Sequence, residues 1–504
     1  VSELPCAAEK DSSDIRVDHL KEKDESNLRG NEDRKNEQAS EPSAGVKFDF
    51  PAYKKILKNR GFLALWVAQG VSGIGDWVIV GVLLDKVNRY GGATGLAWMM
   101  TFRFLPAFLF GLMAGAIVDR LERKTTLVFC DFARGTLVFL LAFSDSLPMI
   151  CGLVFGIECF SLVFGPARDS SIPDIVDSED IVAANSLMST STYLTMALGT
   201  MIATVILGFA QLIYKAFPLL HFMDGAQFQH RFAFIVDALS FFASAMLIFT
   251  ISFPRRWQSR QKISRAQMFK DMSEGIRFMR SEPLTRSILG VMIIGFIGGG
   301  SLYVLGAPFA RQVMAATGAK FTLILTCLLA GVVLGAALAP MLQNVFPREI
   351  WFGRAVIGFG LVMLIFTMID FYPLCLIVIF FGGILLGFLL VTAYTMLHEN
   401  LSNDVRGRVF AAMQTIMRTC LLISMGIFAV IARLIEIWIP WKQDNPAKKV
   451  LNLGFMEKSF YPAMIALMIG AFVVIIGGWL SVRSFRKLKI SSGGGIVEGD
   501  NNAV

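Results

Sequence analysis

Twelve runs of about 20 apolar residues follow one another from residue 62 to residue 483, separated by short polar breaks. A helix needs roughly 20 such residues to cross the hydrocarbon core of a bilayer. Inside that core every backbone N–H and C=O must be paired within the protein, which leaves helices or closed barrels. Continuous apolar runs, rather than alternating ones, select helices. The runs lie at 62–84, 96–118, 125–144, 148–168, 183–213, 231–253, 286–309, 321–344, 350–370, 373–397, 406–436 and 460–483. Composition agrees: 55% of residues are hydrophobic and 17% charged, against roughly 25% charged in soluble chains. This excludes an ordinary soluble enzyme and a disordered regulator. Nucleic-acid binding is excluded too, because no basic run is interleaved with stacking aromatics.

Polar segments divide the chain. Residues 1–50 carry 13 acidic and 8 basic side chains and too little apolar surface to fold, so they read as a disordered acidic tail. They are too acidic for a transit peptide. The opening Val marks a fragment or a processed form. Residues 51–253 form a six-helix half, 254–285 a middle loop, 286–485 a second six-helix half and 486–504 a tail. The middle loop is expected to lay a short amphipathic helix, around 265–280, on anionic headgroups. With the N-terminus placed inside, the inner segments hold 25 Lys and Arg and the outer ones 11. That bias puts both termini in the cytoplasm. Gly111-x-x-x-Gly115 recurs 220 residues later as Gly331-x-x-x-Gly335, a hint of internal repetition.

Ionisable groups inside membrane spans are expensive and default to function. Asp76 in the first run and Arg103 in the second lie at similar depth, so they are expected to pair. Glu158, near the middle of the fourth run, has no partner on its own helix. These three are the proton-coupling candidates. Asp237, in the sixth run, reads as a local cap or a partner of Arg231. Gln69, Tyr193, Gln414 and Arg418 are candidates for a substrate cavity. Seven cysteines form no C-x-x-C pair, so neither a metal site nor a disulfide framework is indicated. No P-loop, zincin or G-x-S-x-G motif occurs, and His398-Glu399 lacks a second His. No cofactor and no enzymatic activity are expected.

The loop Gly115-Ala116-Ile117-Val118-Asp119-Arg120-Leu121-Glu122-Arg123-Lys124 resembles the loop signature of the major facilitator superfamily. It departs from it at Glu122, where the family usually has Gly. Asn59 to Gln69, Gly75-Asp76-Trp77, Gly165 to Arg168, Val236 to Phe241 and Arg406 to Phe410 are similar to the enterobactin-exporter-like and macrolide-efflux-like branch. The resemblance implies an all-α membrane protein of twelve transmembrane helices in two six-helix halves. It also implies a monomer that exports siderophore-, macrolide- or drug-like small molecules in exchange for protons by alternating access. Asp119 with Arg120, Arg123, Asp131, Arg134, Arg168, Arg406 and Arg408 would form the cytoplasmic gate behind Gly115. The alternatives are a lysophospholipid transporter and a transport-inactive sensor or scaffold. The plasma or inner membrane is the default location; an organelle envelope follows if the Val start reflects a removed targeting peptide.

Overall fold

The computed structural model describes residues 50–118, 121–252, 273–274, 276–343, 348–401, 403–438, 442–445, 448–452 and 459–491. Its helices are α1 (Phe50–Lys58), α2 (Arg60–Val118), α3 (Arg123–Ala142), α4 (Leu147–Ile175), α5 (Ile181–Ala216), α6 (Gly225–Phe249), α7 (Pro283–Gly299), α8 (Ser301–Met314), α9 (Ala319–Gln343), α10 (Arg348–Met368), α11 (Tyr372–Asn400), α12 (Asn403–Trp438) and α13 (Pro462–Ser491). The expected acidic tail, most of the middle loop, Asp119 and Arg120 lie outside the described residues. Residues 276–281 are helical.

Eleven helices among the described residues are long and apolar enough to cross a membrane. The first holds two spans, because α2 breaks at Gly92, whose φ of 54° and ψ of −146° suit a residue without a side chain. Gly95 then packs back against Val87. The legs 60–91 and 93–118 therefore complete the expected twelve. A polar break is expected after residue 84; instead the helix continues with Asp85, Lys86 and Asn88 all buried. The seventh span is α7 followed by α8, interrupted at Gly300. Ser424 of α12 donates a 2.5 Å hydrogen bond to the Ile297 carbonyl there, so a neighbouring side chain satisfies the broken helix. The last helix runs to Ser491 rather than ending near 483. Between α12 and α13, β1 (Lys442–Asn445), β2 (Lys448–Asn452) and β3 (Ser459–Phe460) form a small antiparallel sheet. Lys442 faces Val450 and Leu451 faces Phe460 in its register.

The Gly331-x-x-x-Gly335 motif has a definite use. It crosses Gly383-x-x-x-Gly387 so closely that a methyl group on Gly335 would sit 2.0 Å from the Ile384 carbonyl, and one on Gly383 2.0 Å from that of Leu328. Small residues let two backbones touch in this way. Its expected counterpart differs, since a side chain at Gly111 would meet nothing within 4 Å. Gly335→Leu should therefore lower the stability of the detergent-solubilised protein by about 3 kcal/mol, read as a fall in thermal midpoint. Gly111→Leu should leave it unchanged, and equal effects would contradict this assignment.

The bundle has a basic end, carrying α1 and the α2–α3, α4–α5, α6–α7, α9–α10 and α11–α12 connections, and a far end opposite. The buried apolar side chains divide accordingly. One cluster joins both halves through Leu83, Val87, Leu207 and Phe234 with Val304, Phe309, Phe321 and Phe428. A second belongs to the first half alone, with Phe62, Leu65, Leu127, Phe164 and Ile248. The third belongs to the second half alone, with Ile288, Phe352, Met396, Met413 and Phe485. The halves thus share an apolar core toward the far end and keep separate cores at the basic end.

Candidate functional site

Four helices of the first half converge on a cluster of ionisable side chains. Arg134 of α3 is 3% exposed and bonds both its neighbour Asp131, one helical turn earlier, and Asp76 of α2, at 3.6 Å. Its guanidinium lies between the rings of Phe164 and Phe241, 4.2 and 4.7 Å from their centroids, a cation–π sandwich that desolvation strengthens. Asp131 is fully buried and also accepts a 2.6 Å hydrogen bond from Ser244 of α6. Asp237 of α6 accepts one from Ser240 at 3.3 Å, while its Oδ2 is buried without a partner. The close approach that admits Asp237 depends on Gly75, where a methyl group would sit 2.0 Å from Oδ1. Arg103 of α2 bonds Glu158 of α4 at 3.1 Å.

These pairings correct the expected one. Asp76 and Arg103 do lie within electrostatic reach, but Arg103 bonds Glu158 and Asp76 bonds Arg134. Asp131 and Arg134, expected at the cytoplasmic gate, are bonded within this buried network. Asp237, locally bonded to Ser240, lies within electrostatic reach of Asp76 and Arg134 and does not pair with Arg231, which bonds Asp145 at 3.2 Å. Ion pairs join three carboxyl groups, Asp76, Asp131 and Glu158, to two guanidinium groups, with Asp237 close by and Arg168 and Arg418 within electrostatic reach. Asp76 keeps 36% of its side-chain surface accessible and Glu158 25%.

A cavity of about 260 Å³ lies between the halves; no network side chain lines it, but its wall includes Trp77, next to Asp76 in the chain, and Tyr303, within electrostatic reach of Arg103. Trp77, Val80, Met196 and Thr200 come from the first half; Val291, Phe296, Tyr303, Phe359 and Leu389 come from the second. Its wall is almost wholly apolar. Arg418, exposed on α12, is the charge that the second half brings within electrostatic reach of Glu158. Gln69 is buried on α2 with its Oε1 unpartnered, and Gln414 donates to the Tyr394 hydroxyl at 2.6 Å. Tyr193 falls on α5.

At the basic end, Gly115 lies on the last turns of α2, and Arg123 pairs with Asp174 of α4. Arg168 pairs with its neighbour Asp169 at 2.7 Å. Arg406 and Arg408 fall in the first turns of α12. Lys55 bonds Asp180 at 2.8 Å, and that carboxylate holds the lysine above its usual pKa.

The far end is fastened by polar contacts that the sequence reading missed. Asp85 accepts from His230 at 2.9 Å, with Arg89 at 3.6 Å, and lies near the Gly318 backbone N–H just before α9 in the other half. Lys86 donates to the Leu141 carbonyl at 3.1 Å. Thr204 of α5 donates to Thr322 of α9 at 3.0 Å. The hidden signal was the polar triplet Asp85, Lys86 and Asn88, at the end of an apolar run. Asp85→Ala should loosen this end. Spin labels at exposed Leu219 and Phe371 should then report a second, longer distance; an unchanged distribution would contradict the latch.

Comparison with known proteins places this geometry. A family model described as Major Facilitator Superfamily matches residues 65–420. YkuC of Bacillus subtilis (strain 168), an uncharacterized MFS-type transporter, is 27% identical over 259 residues, 49% of this chain and 56% of YkuC, so the chain spans about half the length of that relative. The lysophospholipid transporter LplT of Yersinia enterocolitica is 22% identical over 75% of this chain and 89% of its own. Macrolide efflux protein A of Streptococcus pyogenes is 27% identical over 29% of this chain and 38% of its own. Among solved structures, a bacterial homologue of the human lysosomal transporter Spinster, inward-facing and unoccupied, superposes with a TM-score of 0.64 at 14% identity, covering 88% of this chain and 99% of the other. The nucleoside transporter NupG also gives 0.64, at 9% identity, covering 84% of this chain and 99% of its own. At these identities the structures share the fold.

Proposed function

The chain belongs to the Major Facilitator Superfamily and is a multi-pass membrane transporter, and from that premise we propose that it exports amphipathic or hydrophobic small molecules in exchange for protons. The observation that carries this reading is a cluster of four membrane-embedded carboxyl groups, one of them, Asp237, with an unpartnered oxygen, close to an apolar cavity. Two guanidinium groups are ion-paired with three of these carboxyl groups and none with Asp237, which leaves room for a proton, since an uncompensated charge in such a place is costly. A carboxyl group that gains or loses a proton changes its attraction to Arg103 or Arg134, hence the packing of α2, α3 and α4. The cavity wall suits a ligand with a large apolar body.

The Lys and Arg bias assigns the basic end to the cytoplasm. The separated cores at that end then correspond to an inward-open state, with the Asp85 and Thr204 contacts as the closed outer gate. Gly115, Asp119, Arg120, Arg123, Arg168, Arg406 and Arg408 would form the inner gate. The protein would act as a monomer in the plasma or inner membrane. A second reading, lysophospholipid transport, is favoured by likeness to LplT along most of both chains.

Proteoliposomes with an imposed pH gradient test the proposal. Lipophilic cations, macrolides, catechol siderophores and lysolipids would be screened for gradient-driven movement. Movement of a drug-like compound that requires the gradient supports proton-coupled export. Movement of lysolipid alone, unchanged when the gradient is collapsed, supports the second reading.

A further inference from the structure

The seam between α10 and α13 carries a feature unrelated to the cavity. Gly353 of α10 lies against α13 so closely that a methyl group there would sit 2.7 Å from Val482 Cγ2 and 3.1 Å from Ser481 Oγ. This contact fixes the two helices at one depth. On the cavity side of the seam Phe352 and Phe485 meet edge to face, with centroids 6.3 Å apart, and Phe352 lines the cavity. The helices are antiparallel neighbours with about 100° between successive residues. Arg354, two positions after Phe352, and Arg483, two positions before Phe485, therefore both emerge on the opposite side, away from the cavity.

Each of these arginines is exposed, and each rests on a tryptophan. The Arg354 guanidinium lies 5.4 Å from the Trp351 ring and that of Arg483 lies 4.8 Å from Trp479. Trp479 is itself 52% exposed. Neither arginine has a carboxylate partner among the described residues, in contrast to Arg103, Arg123, Arg134 and Arg168. Both sit at the edge of the apolar spans, which run Trp351–Met368 and Pro462–Phe485. That is the depth of the headgroups, where tryptophan prefers to lie.

We propose that Arg354 and Arg483, backed by Trp351 and Trp479, form a binding site for the headgroup of an anionic phospholipid on the outer face of the second half. Guanidinium groups present paired donors to phosphate oxygens. The indole rings hold them in place and pack on the upper acyl chains. A juxtamembrane cation near an anionic surface contributes about fivefold in affinity, so the pair should favour an anionic lipid over a zwitterionic one by about 25-fold.

The test uses the full chain in liposomes containing brominated phosphatidylglycerol or brominated phosphatidylcholine at equal mole fraction, read by tryptophan quenching. Half-maximal quenching should need about 25-fold less brominated phosphatidylglycerol than brominated phosphatidylcholine. That preference should vanish in the R354Q/R483Q variant and should shrink when Trp479→Phe removes the reporter. Millimolar inorganic phosphate should not relieve the quenching. Equal quenching by the two lipids in wild type, a comparison that requires no variant, would overturn the proposal. So would a preference kept by R354Q/R483Q, or quenching relieved by free phosphate, which would make the site a phosphate site instead.

Discussion

Glu158→Gln is expected to abolish gradient-driven accumulation while leaving substrate equilibration intact. One pH unit corresponds to about 1.4 kcal/mol per proton, enough to drive about tenfold accumulation at one-for-one exchange. The variant should level off at the outside concentration. The obvious rival is that Glu158 merely pairs with Arg103, from which it is 3.1 Å away. The two accounts separate in the Arg103→Gln/Glu158→Gln double variant. If the pair is only a structural brace, removing both charges together should restore much of what the single change lost, because no unpaired guanidinium remains. If Glu158 carries a proton, the double variant stays uncoupled. Asp76→Asn should behave as Glu158→Gln does, since Asp76 is the more accessible end of the Arg134 chain.

The largest effect on stability is expected at Arg134. Arg134→Ala leaves Asp131 fully buried with Ser244 as its remaining side-chain donor, and it empties the space between Phe164 and Phe241. Breaking a buried ion pair by removing one partner costs about 3–5 kcal/mol. The variant should lose most of its folded yield or fall sharply in thermal midpoint in detergent. Adding Asp131→Asn should recover part of the loss, because the stranded carboxylate is then gone. A midpoint equal to wild type in the single variant would mean that the network is solvated.

Much of this architecture could be read from the chain. Apolar length locates twelve spans, because a bilayer offers no alternative backbone pairing. Asp76, Arg103 and Glu158 stand out for the same reason: each charge interrupts an apolar run. Their partners could not be read. Position along a helix gives depth, but pairing also depends on rotation about the helix axis and on which helices are neighbours. Asp76 and Arg103 share a depth, yet Arg134 approaches Asp76 from α3 and Glu158 approaches Arg103 from α4. Asp131 and Arg134 resembled gate residues because only two helical turns separate them from the basic end. Asp237 does make a local contact, with Ser240, but nothing in the sequence reveals that Gly75 opens space for it beside Asp76 and Arg134. At the far end, Asp85 and Lys86 looked like the start of a loop. Burial of a charge is legible only once its partners, here His230 and the Leu141 carbonyl, are in place. The α9–α11 crossing is half legible: the Gly331 motif repeats Gly111 and Gly115 at a distance of 220 residues, whereas no repeat at that distance marks the Gly383 motif that receives it.

The central claim is that substrate and protons exchange through the cavity close to Asp76 and Glu158. It is tested most directly by proton movement itself. Proteoliposomes would be loaded with a pH-reporting dye and an exported compound, with the membrane potential clamped and no pH gradient imposed. Release of the compound down its own gradient should acidify the interior in wild type and leave it unchanged in Glu158→Gln. Release with no change of interior pH in wild type would contradict the account.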